Sequence, residues 1–108
     1  MPHAEIKCSS DLDIHFEKLF AGIESTINQH DSSAGECKGR AYPTTLYKHS
    51  HILITISMLT KPHRDEVFTK NLSNALEVEI KKHLNQDCFF SLLLKYNLVQ
   101  YVTNRHVV

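Results

Sequence analysis

The chain opens on a regular alternation. Over residues 3–8, His-Ala-Glu-Ile-Lys-Cys, polar and apolar side chains take turns, the pattern of a strand with one buried face. Ser9 and Ser10 stop it. From Asp11 the apolar positions fall at helical intervals, Leu12, Phe16, Leu19, Phe20, Ile23 and Ile27, so a helix is predicted with Ser10 as its cap and its end near residues 29–31. Asp-Ser-Ser-Ala-Gly over 31–35 reads as a loop, and 37–47, interrupted by Gly39 and Pro43, reads as an irregular or edge strand.

Residues 51–60 form the most β-rich apolar run of the chain, closed by Lys61-Pro62, and are expected to be a central strand buried on both faces. A second helix is predicted over about 64–85. Phe68, Leu72, Ala75, Leu76, Ile80 and Leu84 are in register there, and Asp65 and Glu66 suit its positive end. Residues 89–94 read as another strand. The tail from Asn97, with Leu98, Val99, Tyr101, Val102, Val107 and Val108, is too apolar for a free coil and is expected to pack on a neighbour. The order strand, helix, strand, then strand, helix, strand gives an α/β (α+β) chain of two βαβ-like halves, with no residue-level repeat between them.

At 108 residues the chain fits a single domain, 1–108, with one modest core and little interior left for an enclosed site, so a pocket shared between subunits is expected. Twelve basic residues balance twelve acidic ones, which predicts no bulk attraction to nucleic acid or to an anionic membrane. No apolar run is long enough for a membrane span. Three cysteines, Cys8, Cys37 and Cys88, lack CxxC spacing, and no signal peptide precedes them, so reduced thiols and a cytoplasmic location are expected. His49 and His51 are expected to share a strand face, but no third ligand stands at a recognisable spacing and no metal is expected.

Met1-Pro2-His3 opens directly into the first strand, Lys38-Gly39-Arg40 stands mid-chain, and Leu-Thr-Lys-Pro-His-Arg over 59–64 leads into the second helix. In this combination the chain resembles the 5-carboxymethyl-2-hydroxymuconate isomerase family of the tautomerase superfamily, which includes macrophage migration inhibitory factor. The resemblance implies a tautomerase fold: a four-stranded mixed sheet with two long helices on one face, assembled as a homotrimer with active sites near subunit interfaces. It also implies keto–enol (dienol) tautomerisation of a small carboxylate substrate from aromatic-compound degradation, without metal or organic cofactor.

That chemistry needs a base that is neutral near pH 7. Once Met1 is removed, Pro2 presents a terminal amine, which titrates at about 7.7–8.0 and falls further in an apolar pocket or beside a cation. Pro2 is therefore the expected catalytic base. A developing enolate and a substrate carboxylate call for fixed cations. Arg64 matches the family's arginine at the start of the second helix. Lys38 and Arg40, two apart on a strand, would face one side as a clamp. His3 is given a supporting role only. The alternative from the same sequence is a non-catalytic trimeric binding module on this fold, in which Pro2 merely follows the initiator.

Overall fold

The computed structural model describes residues 1–98 and 100–108. Six elements follow the predicted order: β1 (His3–Ser9), α1 (Phe16–His30), β2 (Lys38–Thr44), β3 (His51–Leu59), α2 (Glu66–Lys81) and β4 (Phe89–Asn97). The strands form one mixed sheet in the order β2-β1-β3-β4. β1 runs parallel to β2 and β3 parallel to β4, while β1 and β3 are antiparallel in the centre. Two parallel βαβ halves therefore meet back to front, and both helices cover the same face of the sheet.

The core lies between that face and the helices. Ala4, Ile6 and Cys8 from β1 and Ile52, Ile54, Ile56 and Met58 from β3 meet Leu19, Ile23 and Ile27 of α1 and Leu72, Leu76 and Ile80 of α2. Each fully buried Leu or Ile contributes about 1.5–3 kcal/mol, so these two stripes hold the helices to the sheet. Two glycines allow the close approach. A Cβ on Gly39 would stand 2.6 Å from Cδ1 of Phe20, and one on Gly22 would stand 2.7 Å from Oε2 of Glu79 in the facing helix. A larger residue at 39 would push the Phe20 ring of α1 off the sheet, whereas one at 22 would first displace the Glu79 carboxylate.

Four expectations need correction. α1 starts at Phe16, not Asp11, and its cap is His15, whose Nδ1 accepts from the Lys18 N–H at 3.3 Å. Ser10 and Asp11 are drawn elsewhere: Ser10 N–H bonds to the Thr44 carbonyl, and the Asp11 carboxylate accepts from Ser50 and Gln86. Leu12 is still buried, but from a turn. β3 is buried on the helix side only, for Leu53 on its other face is 39% exposed. α2 is shorter than its pattern at both ends, because Asp65 caps it by accepting from the Phe68 N–H at 2.9 Å and the chain turns after Lys81. β4 runs on to Asn97, completing its pairing with Leu59. In the tail, Leu98, Val102, Val107 and Val108 are exposed, while Val99 lies outside the described residues. Among the described residues no helix is long and apolar enough to cross a membrane.

Candidate active site at the amino terminus

The first residues are fixed by the sheet. Lys38 N–H donates to the Pro2 carbonyl at 2.9 Å, extending the β1–β2 ladder one step ahead of His3. His3 stands opposite Ser57 in the antiparallel β1–β3 pair, so the chain before it runs alongside the end of β3 and the segment 60–64. The Pro2 side chain is fully buried. With Met1 in place the terminal amine belongs to Met1, and the Pro2 nitrogen is a peptide nitrogen.

Cations converge on this amine. Burial first, and then the positive charges of Lys61, Arg64 and Lys38 in that order, push it below its ordinary value of 8.0, against a weaker opposing push from Cys37. Lys38 Nζ lies 3.6 Å from the Met1 sulfur and 3.1 Å from Glu36 Oε2. Cys37 sits beside it with its N–H given to Glu24 at 2.8 Å. Burial and then the Glu24 charge push the Cys37 thiol up to about 11, which leaves it inert as a nucleophile at neutral pH.

Arg64 reaches the neighbourhood of the amine from just ahead of α2, but its guanidinium is already engaged. Nε and Nη2 donate to Oδ2 of Asp31 at 2.9 and 2.7 Å, Nη1 donates to the Leu59 carbonyl at 2.8 Å, and the side chain is only 2% exposed. Asp31, which ends α1, also accepts from Ser33 N–H and Oγ–H through Oδ1 at 3.0 and 2.5 Å, and from His63 Nε2 at 2.8 Å. Burial alone would raise the Asp31 carboxyl, but the bonds from Ser33, His63 and Arg64 outweigh it and hold the group well below the usual carboxylate range. At the α2 amino end the Phe68 N–H is taken up by the chain's own Asp65.

Lys38 and Arg40 do project from one side of β2, opposite His3 and Glu5. Arg40 is bound there by Glu5, whose Oε1 accepts from Nε at 3.1 Å and from Nη2 at 2.8 Å. Arg40, His3 and Glu5 line an open cleft of about 310 Å³ with Ser57, Lys95, Asn97 and Tyr101. Burial, followed by the charges of Arg40, the terminal amine and Lys38, pushes His3 below its ordinary value despite Glu5, so it is neutral at pH 7. Among the described residues, no acceptor meets the buried Asn97 Nδ2. A larger groove, of about 570 Å³, opens beside the start of α2 between Arg64, Thr69, Lys70 and Tyr96.

Pro2, Arg64 and Lys38 are thus brought together, while Arg40 faces the adjoining cleft with His3. Lys61, Asp31, Lys95 and Asn97 were not singled out in the sequence. Lys61 stood inside the 59–64 segment, and its three-residue lead over Arg64 is closed by the turn bond from Arg64 N–H to the Lys61 carbonyl. His49 and His51 do not share a strand face, because β3 begins at His51 and His49 lies ahead of it at φ 65°.

No protein-family model matches the chain, and no curated protein matches it in sequence. Solved structures do match. A 5-carboxymethyl-2-hydroxymuconate isomerase from Deinococcus radiodurans R1 aligns over 96% of this chain and 90% of its own, at TM-score 0.74 and 16% identity. A fused 4-OT symmetric trimer aligns over 95% of this chain and 93% of its own, at TM-score 0.73 and 9% identity. The chain has the tautomerase fold. A macrophage migration inhibitory factor-like protein from Entamoeba histolytica shares this tautomerase fold over 97% of the chain and 96% of its own, at TM-score 0.60 and 15% identity. The superfamily resemblance drawn from the Pro2, Lys38–Arg40 and 59–64 motifs agrees with that placement.

Proposed function

We propose that the chain is a cofactor-independent isomerase that tautomerises a keto–enol or dienol acid, with Pro2 as general base after removal of Met1. The observation that carries this reading is the setting of the amino terminus, where burial and then the charges of Lys61, Arg64 and Lys38 push the Met1 amine below its ordinary value, a setting that the Pro2 amine would inherit once Met1 is removed. The amine takes a proton from carbon, the electron pair passes to the carbonyl oxygen as an enolate, and the resulting ammonium returns the proton to another carbon. Lys38 and Arg40 bind the substrate carboxylate. Arg64, with its fork held by Asp31, acts as a fixed positive charge near the enolate rather than as a bidentate clamp. The working form is a cytoplasmic homotrimer. The half-apolar open face of the sheet, with Tyr42, Leu53 and Leu93 exposed, supports subunit contact there, and the fused 4-OT neighbours are symmetric trimers.

The test uses untagged protein whose mass shows Met1 removed, assayed for ketonisation of muconate-like and phenylpyruvate-like enols. Alkylation confined to the Pro2 nitrogen should lower turnover by about 10²–10⁴-fold, the usual contribution of a positioned base. Full activity with a blocked amino terminus would remove Pro2 from the mechanism. One observation favours a second reading, a non-catalytic binding module: Arg64, Arg40 and Lys38 each already hold a carboxylate of the chain itself. Saturable binding of the same acids with no turnover would decide for it.

A further inference from the structure

We propose that Asp31 is the positioning residue of the amino-terminal site: this one buried carboxylate fixes Arg64 directly and Lys61 through Ser33, two of the cations that face the terminal amine. Its importance for catalysis rests on the reading of Pro2, which carries the terminal amine once Met1 is removed, as the base.

The geometry is a branched relay. Oδ2 of Asp31 takes two bonds from the Arg64 fork. Oδ1 takes the Ser33 hydroxyl proton at 2.5 Å, and the same Ser33 oxygen accepts from Lys61 Nζ at 3.1 Å, with the Ser33 carbonyl 3.5 Å from that nitrogen. Asp31 is itself immobile, since its own N–H bonds to the Ile27 carbonyl at the end of α1 and five donors in all surround its carboxylate. His63, edge-on to Phe68 at 5.9 Å, covers Oδ2 from the solvent side. Arginine and lysine side chains have large rotamer freedom, and a cation acts as a preorganised charge only when it is held. Without Asp31, Arg64 keeps only the Leu59 carbonyl and Lys61 loses the oriented Ser33 hydroxyl. The remaining cation around the amine is held independently, for Lys38 is paired with Glu36.

The sign of the effect separates positioning from bulk charge. Removing an anion near an amine lowers its pKa, whereas releasing two cations that repel its proton raises it. The terminal nitrogen is titrated by ¹⁵N NMR in the full chain and in Asp31→Asn, Ser33→Ala, Arg64→Gln and the Asp31→Asn/Arg64→Gln double variant. The expected result is an upward midpoint shift in Arg64→Gln and Asp31→Asn, a smaller upward shift in Ser33→Ala, and a smaller effect of Asp31→Asn when Arg64 is already absent. An unchanged or lowered midpoint in Asp31→Asn, or an equal effect in the Arg64→Gln background, overturns the proposal. If Asp31→Asn does not fold, Ser33→Ala decides alone: an unmoved midpoint in the folded variant overturns the Lys61 arm, and with it the relay. The isomerase reading fails separately. Shifted midpoints in a protein that turns over no enol would leave Asp31 as the positioning residue of an inactive amine, and turnover with unmoved midpoints would do the reverse.

Discussion

Asp31 is a buried acid that is stable because it is ionised. Its folded carboxyl titrates below the unfolded value of about 3.9, so it contributes stability in full above that value and loses it progressively as pH falls further. The urea midpoint of the wild type should therefore drop as pH falls below about 4, and that of Asp31→Asn should drop less from a lower start. At pH 7 the substitution leaves the Arg64 guanidinium buried without its counter-ion, a loss of roughly 3–5 kcal/mol in urea unfolding. Arg40 differs. Its pair with Glu5 is half exposed and screened by solvent, and the Arg40→Gln variant should unfold at close to the wild-type urea midpoint while, on the proposed function, raising the KM for an enol acid. Gly39 has no chemistry, yet Gly39→Ala forces a Cβ against the Phe20 ring and should cost about 1–3 kcal/mol by thermal or urea unfolding.

At the scale of elements, the strands and helices were legible because each carries one buried face at its own period: Ala4, Ile6 and Cys8 at two, Leu72, Leu76 and Ile80 at about four. What was not legible came from competition between polar side chains. Ser10 has the right chemistry for a cap, but Asp11 is bound across the fold to Ser50 and Gln86, so the helix begins later, at Phe16, behind the His15 cap. Ser10→Ala should accordingly leave the helical circular dichroism unchanged, while Asp65→Ala, which strips a working cap, should cost about 0.5–2 kcal/mol. The site was legible to the same degree. Pro2, Lys38 and Arg64 could be named from type and spacing, but that Arg64 is held by Asp31, thirty-three residues away, depends on how α1 ends against the turn before α2.

For the whole molecule, the deciding feature is a sheet covered on one side only. Its open face carries Lys7, Arg40, Glu5 and Lys95 beside exposed Tyr42, Leu53 and Leu93, a mixture that a single chain leaves in water. On the proposed trimer this face is where subunits meet, and Leu53→Glu with Leu93→Glu should convert the assembly to monomer by sedimentation while the isolated chain keeps its far-ultraviolet spectrum. Monomer in both proteins would remove the trimer from the proposal.

The two βαβ halves are architectural counterparts, each with a parallel pair and a crossing helix, yet they differ in one respect that the sheet diagram hides. On the proposed function β1 follows directly on the terminal amine, whereas β3 begins in mid-chain, where Ser50 precedes His51. At the second position the nitrogen is committed to a peptide bond, whatever residues gather round it. A polypeptide has one beginning, so a fold that repeats its scaffold twice can repeat its base only by adding chains. Alkylation under conditions that modify the terminal amine but spare the lysines should therefore reach its end point at one equivalent per chain, as read by mass.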